Sequence, residues 1–252
     1  MRNLITLTPE TISQGTLVLV NAKHALSNEK ENTLVQIESD YASIKMQKNA
    51  ATVLMNLLKS IGGQGWIVPV SGYRPETEQR QIYEDSLKEN GEIFTQKFVA
   101  LPGHSEHQTG LAIDLGLRKE NIDFICPDFP YEGICQKFRN TAVQYGFIER
   151  YQKDKEEVTG IAHEPWHFRY VGYPHAQIMT DEHLALEEYI DYLKQYEFGK
   201  KHWQGTIQSY DVEVFYVPVS ENQKVSVELP ECLAYQVSGN NVDGCIVTVW
   251  KS

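Results

Sequence analysis

The sequence predicts a protein of mixed α and β structure, with a main domain over residues 1–200 and a small β appendage over residues 206–252. Before residue 200, apolar residues recur at helical spacing in some segments and at strand spacing in others. After Gly199 the pattern changes to β-branched and aromatic runs broken by turn residues. Hydrophobic residues make up 41% of the 252 residues, which is enough for a packed core.

The helices are predicted from apolar periodicity and from the residues that begin and end helices. Apolar residues recur three and four apart over residues 44–61, and Gly62-Gly63 follows as a stop signal. A second helix is expected to begin at Pro75, because proline suits the first helical position, and to end near Asn90-Gly91. Two further helices are predicted over residues 134–145 and 181–197.

The strands are predicted from short apolar or alternating runs. Three of them fall in the main domain, at residues 66–70, 109–117 and 166–171. Lys200–Gly205 is expected to be a short turn that leads into the C-terminal appendage. The appendage is expected to be antiparallel, with strands around residues 212–217, 224–227 and 246–250.

Composition excludes several classes of partner. The net charge is −11 and no run of Lys and Arg is present, so the sequence predicts no nucleic-acid surface. The N-terminal segment lacks the features of a signal peptide. The longest apolar stretch there, Leu17–Val20, is far shorter than the roughly 20 residues that span a bilayer. We therefore expect a cytoplasmic protein without a membrane anchor.

The side chains suited to metal binding and catalysis are concentrated in two segments, Gly103–Asp114 and His163–Arg169. A catalytic zinc takes three protein ligands from His, Asp, Glu or Cys and leaves a fourth position for water. Water bound to such a metal has a pKa of about 7, and a nearby carboxylate that is not a ligand can transfer its proton.

The second segment contains His163-Glu164-Pro165-Trp166-His167, which matches H-E-x-x-H. That motif binds zinc when it lies on a helix, where both histidines share a face. Pro165 argues against a helix here, because proline is tolerated only in the first turn and pushes the preceding residue towards extended geometry. We therefore expect a strand and do not expect His163 to be a ligand.

The motifs together resemble those of the D-Ala-D-Ala metallopeptidases, a family that includes the VanX, VanY and bifunctional VanXY enzymes. One motif is Ser105-x-His107-x-x-Gly110-x-Ala112-x-Asp114, and the second is Glu164-Pro-Trp-His167, about fifty residues later. A third is Ser71-Gly-Tyr-Arg-Pro75, with Gln79 five positions after Arg74. The three motifs occur in the family's order and spacing between about residues 45 and 175, and the chain is most similar to the VanXY type.

The resemblance implies one Zn²⁺ per chain, bound by His107, Asp114 and His167. It implies that Glu164 acts first as general base and then as general acid. It also implies an α+β fold in which a small antiparallel sheet carries the ligands and is flanked by helices.

Three further residues receive roles from the resemblance. Arg74 would polarise the scissile carbonyl and stabilise the oxyanion, a role that suits a fixed cationic donor. Ser105 would lie near the substrate amino group, and Gln79 would line the substrate cleft. His104 and His175 are expected to be solvated and receive no role.

The implied activity is hydrolysis of D-Ala-D-Ala, both as the free dipeptide and at the end of peptidoglycan pentapeptide precursors, in vancomycin resistance. An L,D-carboxypeptidase of the same superfamily that trims tetrapeptides is the alternative enzyme. An inactive cell-wall-binding module is expected to lack a ligand or Glu164, and a closed structural zinc site would need His104 or His163 as fourth ligand. The polar and aromatic loop over residues 117–134 could cap the cleft.

Overall fold

The computed structural model describes residues 4–26, 33–37, 43–220 and 222–251. The chain divides into two compact units, one over Val20–Ala185 and the other made of Met1–Leu19 together with Leu186–Ser252. This division differs from the expected boundary near residue 200. Strand β1 (Leu4–Leu7) pairs antiparallel with the strand at Val225–Glu228, which explains why the N-terminal segment belongs to the same unit as the C-terminal strands.

The unit over Val20–Ala185 combines antiparallel sheets with helices, so the predicted α+β class is confirmed. Its strands are β2 (Leu34–Ile37), β3 (Ile44–Gln47), β4 (Ile67–Ser71), β5 (Ala112–Leu117), β6 (Phe147–Tyr151) and β7 (Glu164–Tyr170). Its helices are α1 (Lys48–Ile61), α2 (Glu76–Asn90), α3 (Glu92–Phe98), α4 (Gly133–Ala142), α5 (Glu156–Thr159) and α6 (His175–Asp181). Strands β2 and β3 form a pair, and the main sheet has the order β4-β5-β7-β6.

The first predicted helix is confirmed from Lys48 onwards and ends as expected at Gly62, whose φ of 71° suits glycine. The prediction is wrong for residues 44–47, which form β3. Ile44 and Met46 are buried while the residues between and after them are more exposed, a two-residue alternation that suits a strand. Antiparallel pairing with β2 satisfies the backbone of this segment.

The strand predicted at residues 66–70 is observed as β4, and α2 begins directly after Pro75, which occupies the N-cap position. The predicted helix over residues 134–145 is observed as α4 followed by a 3₁₀ turn. The prediction of one helix over residues 181–197 is wrong. Helix α6 ends at Asp181, His183 has a φ of 52°, and a new helix α7 covers only Leu186–Leu193.

The unit that contains residues 1–19 and 186–252, the C-terminal unit, is antiparallel β after residue 200, as predicted for residues 206–252. Its strands are β8 (Trp203–Ile207), β9 (Tyr210–Pro218), β10 (Val225–Glu228), β11 (Ala234–Gly239) and β12 (Gly244–Lys251), with the sheet order β11-β12-β9-β8. Because β8 begins at Trp203, the turn expected over Lys200–Gly205 is shorter than predicted. Phe215, Val247 and Leu7 are members of its buried apolar core.

Within the parts of the chain that the structure describes, no helix combines the length and apolar character needed to cross a bilayer.

Candidate active site

The strand register of the main sheet brings the three motifs to one place. Asp114 on β5 lies directly opposite His167 on β7, and Ser71 at the end of β4 lies opposite Asp114 on the other side. Directly opposed residues of an antiparallel pair have Cβ atoms only about 4.5–5.5 Å apart. Residues 71, 114 and 167, far apart in sequence, therefore form one row across the sheet.

His107 joins this row from a short 3₁₀ turn over Glu106–Thr109. The turn ends at Gly110, whose φ of 68° is in the left-handed region that favours glycine. The Nε2 atom of His107 lies 3.1 Å from Oδ2 of Asp114. One potential ligand atom each from His107, Asp114 and His167 lies within 4.8 Å of the others, and all three residues are buried.

In each of the two histidines, one ring nitrogen faces the candidate ligand Asp114 and the other has a partner outside the ligand group. Nδ1 of His107 lies 2.7 Å from the carbonyl oxygen of Gly72, so this nitrogen donates, and Nε2 faces Oδ2 of Asp114 at 3.1 Å. Nε2 of His167 lies 3.3 Å from Oε2 of Glu106, whereas its Nδ1 lies 2.9 Å from Oδ1 of Asp114. Metal-binding histidines almost always donate their second ring N–H in this way. Two imidazoles and one carboxylate fit the donor set of a catalytic zinc.

The negative charges of Asp114 and Glu106 around His167 also favour binding of a cation at this site. Burial lowers the pKa of His167, but Asp114 and Glu106 outweigh that effect and raise it to about 9. Burial raises the pKa of Asp114, but His107 and His167 outweigh this effect and hold the pKa of this carboxyl well below its usual range. A carboxylate pair that attracts a proton to His167 attracts a metal ion for the same electrostatic reason.

Glu164 begins strand β7 beside the ligands, with Oε2 3.8 Å from Nδ1 of His167. Glu164 and His167 are three residues apart, so a regular strand would point them to opposite faces. The β6–β7 register shifts between Glu149 and Tyr151, and this irregularity breaks the alternation. Burial raises the pKa of Glu164 to about 8. A carboxyl group that titrates near neutral pH suits proton transfer.

Arg74 is held in place by two neighbours. Its Nη1 donates to Oε1 of Gln79 over 2.7 Å, and its Nη2 donates to Oγ of Ser71 over 2.8 Å. The other amide atom of Gln79, Nε2, donates to the carbonyl oxygen of Ala100. Gln79 is only 1% exposed. Its two polar atoms are thus engaged inside the protein, which favours a role in orienting Arg74 over direct contact with substrate.

These residues line a cavity of about 710 Å³. Arg74, Ser105 and Glu164 lie on its wall together with the three candidate ligands. The loop between β5 and α4 contributes residues 123–126, so part of the segment expected to cap the cleft does line it. At another part of the wall, Phe94 and Phe98 of α3 add apolar surface.

The remaining histidines lie outside the ligand group. Nε2 of His163 is 2.7 Å from the hydroxyl of Tyr131, and strand geometry is observed where a helical H-E-x-x-H site would need a helix. Nδ1 of His104 contacts the carbonyl oxygen of Asn21. The expectation that His175 is solvated is wrong, because this side chain is 1% exposed at the start of α6.

Glu106 is a buried residue of the site that the sequence interpretation did not single out. Its carboxylate accepts hydrogen bonds from Arg150 and Arg169 and contacts His167. Burial raises the pKa of Glu106, but the two guanidinium groups and His167 outweigh it and hold the pKa far below the usual range. The only signal in the sequence is an acidic residue between two motif residues, Ser105 and His107.

Comparisons with known proteins agree with this geometry. Residues 43–173 match the family model "VanY: D-alanyl-D-alanine carboxypeptidase". The chain is 48% identical over 183 residues to the bifunctional D-Ala-D-Ala dipeptidase and D-Ala-D-Ala carboxypeptidase VanXYC of Enterococcus gallinarum, covering 72% of this chain and 96% of that protein.

Two solved structures are similar as well. The D,D-dipeptidase VanXYg, in complex with a D-Ala-D-Ala phosphinate analog, matches with a TM-score of 0.95 and 50% identity over 100% of both chains. A mutant of the D,D-pentapeptidase VanY from a VanB-type resistance cassette, in complex with Zn(II), matches with a TM-score of 0.58 and 28% identity. That match covers 69% of this chain and 98% of the other.

Proposed function

Because the chain belongs to the VanY family of D-alanyl-D-alanine carboxypeptidases, we propose that it hydrolyses the D-Ala-D-Ala bond with one zinc ion per chain. The observation that carries this proposal is the cluster of His107, Asp114 and His167 with Glu164 beside it. Relatives named as D-Ala-D-Ala dipeptidase and carboxypeptidase, and a relative solved with Zn(II), support it. The enzyme is a metallopeptidase, and its role is in vancomycin resistance.

Glu164 and Arg74 have different roles in the proposed reaction. When bound, zinc supplies a Lewis acid that lowers the pKa of water to about 7. Glu164 takes a proton from the attacking water and later delivers it to the leaving amine, which its position and raised pKa suit. Arg74 stabilises the negative charge that develops on the carbonyl oxygen, because its guanidinium is fixed by Ser71 and Gln79 before substrate arrives.

Replacing Arg74 by alanine is expected to lower kcat for D-Ala-D-Ala by roughly 10²–10³-fold, the usual cost of one lost oxyanion donor. The measurement is steady-state kinetics on zinc-loaded protein. Arg80→Ala is the matched control, because Arg80 lies on α2 and is exposed, with Glu76 as its partner. Equal kcat in the Arg74 and Arg80 variants would remove Arg74 from the mechanism.

The shape of the cavity supports both a dipeptide and a longer substrate. It extends from the ligand cluster to Phe94, Phe98 and Glu89, along the two helices α2 and α3. We propose that free D-Ala-D-Ala binds at the ligand end and that pentapeptide precursors occupy more of the cleft. Ser105 lines the same cavity and is proposed to contact the substrate.

The direct test of function compares kcat/KM for D-Ala-D-Ala, a pentapeptide precursor and the tetrapeptide that an L,D-carboxypeptidase would cut. We expect zinc-dependent release of D-alanine from the first two substrates. Cleavage of the tetrapeptide alone would overturn the proposal in favour of the L,D-activity.

Substrate choice gives a further expected result. The terminal methyl of D-Ala-D-Ala is proposed to enter a small apolar pocket, where the hydroxymethyl of D-Ala-D-Ser would bury an unmatched hydroxyl at a cost of about 1–3 kcal/mol. D-Ala-D-Ser is therefore expected to show a kcat/KM roughly ten- to a hundred-fold lower. Equal efficiency on the two dipeptides would rule out this pocket and its contribution to resistance, and it would leave the zinc mechanism intact.

A further inference from the structure

Glu106 lies fully inside the protein between one candidate zinc ligand and two arginines. Its Oε1 accepts a hydrogen bond from Nε of Arg150 at 2.8 Å and another from Nη1 of Arg169 at 2.9 Å. Its Oε2 lies 3.3 Å from Nε2 of His167. Glu106 is 1% exposed, and the side chains of the two arginines have no exposed surface. The two oxygens of one carboxylate thus face different partners.

Burying a carboxylate and two guanidinium groups is costly, and such clusters are often no more stable than apolar packing of the same volume. Stability alone is therefore a weak reason for this cluster. A second reason is visible in the hydrogen bonds. A carboxylate held ionised by two arginines only accepts, so the nitrogen of His167 that faces it must donate. A neutral imidazole that donates from Nε2 presents a lone pair at Nδ1, on the side of Asp114.

We propose that Glu106 is a positioning residue that fixes the tautomer and ring orientation of His167 for metal binding, with Arg150 and Arg169 holding the carboxylate in place. This inference rests on the proposed zinc site. Arg150 comes from β6 and Arg169 from β7, so the main sheet itself sets where Oε1 lies. With Oε1 occupied, Oε2 is left to contact His167.

The test is the zinc affinity of Glu106→Gln, measured by competition with a chelator of known affinity on purified full-length protein. Glutamine keeps the shape but presents one acceptor and one donor. If its carbonyl oxygen faces the arginines, its NH₂ faces Nε2 of His167 and favours the tautomer that cannot bind at Nδ1. We expect zinc to bind about 10–100-fold more weakly, the usual effect of losing such a partner.

Glu213→Gln is the matched control, because Glu213 is also a buried strand carboxylate with two basic partners, His202 and Lys251. It belongs to the C-terminal unit and is not one of the three candidate ligands. We expect this variant to lose thermal stability while its zinc affinity stays within about twofold of wild type. A folded Glu106→Gln protein with wild-type zinc affinity would overturn the inference.

A second measurement on the wild-type protein decides the question if Glu106→Gln does not fold. In zinc-loaded protein labelled with ¹⁵N at histidine, the imidazole of His167 should show a slowly exchanging proton on Nε2. A proton on Nδ1 in its place, or a rapidly exchanging one on Nε2, would overturn the role of Glu106. If wild-type protein binds no zinc at all, the proposed function itself fails, which is a different outcome.

Discussion

Replacing Glu164 by glutamine is expected to lower kcat for D-Ala-D-Ala by roughly 10²–10⁴-fold, the range that positioned acid–base groups contribute. Glutamine keeps the size of the side chain but neither takes up nor releases a proton near neutral pH. Glu164 is not one of the three candidate ligands, so bound zinc and the fold should be retained. Turnover and zinc content are measured on the same preparation, and Glu164→Ala is expected to behave in the same way.

The control for this experiment is Glu149→Gln. Glu149 lies on the neighbouring strand β6, where its carboxylate pairs with Arg139 and lies outside the cavity wall. We expect this variant to lose stability and to keep kcat within a few-fold of wild type. Near-normal turnover in a zinc-loaded Glu164→Gln protein would contradict the proton-transfer mechanism.

The residue types of the site could be predicted from the sequence, because the motifs specify them. The structure brings His107, Asp114 and His167 within reach of one ion, as the resemblance implies. What the motifs do not contain is the strand register that places Asp114 opposite His167. Register depends on pairing between segments far apart in the chain, and the motif of one segment does not specify its partner.

Two features show why other predictions failed or were not made. Residues 44–47 directly precede α1, and both their two-residue alternation and their pairing with β2 make them a strand. Glu106 reaches its partners Arg150 and Arg169 across 44 and 63 residues of sequence. From the sequence alone, a charged residue next to a motif histidine is expected to be solvated. Its buried partners become known only from the fold.

The irregular register between β6 and β7 is a third feature that the sequence did not predict. It allows Glu164 and His167, three residues apart, to face the same site on a strand. A sequence with H-E-x-x-H suggests a helix instead, and the proline at position 165 and the strand-like alternation over residues 166–171 argue against it. The same five residues, 163–167, therefore fit two metal geometries, which make opposite predictions for His163.

Replacing Asp114 by alanine is expected to remove zinc and with it nearly all hydrolysis of D-Ala-D-Ala. Asp114 contacts both histidines, with Oδ2 3.1 Å from His107 and Oδ1 2.9 Å from His167, so its loss leaves two ligands. The affinity should fall by more than the roughly 10–100-fold that an outer-shell partner costs. His107→Ala and His167→Ala are expected to behave alike, and metal analysis after dialysis checks all three.

His163→Ala is the control that separates the two geometries. His163 contacts the hydroxyl of Tyr131 through Nε2, and it is not part of the ligand group. Its loss should leave zinc content unchanged, because the strand at Glu164–Tyr170 presents only His167 to the metal. On a helical H-E-x-x-H site the result would be reversed, since residues four apart on a helix share one face. Zinc lost from the His163 variant and retained by the Asp114 variant would therefore refute the ligand set and the strand geometry together.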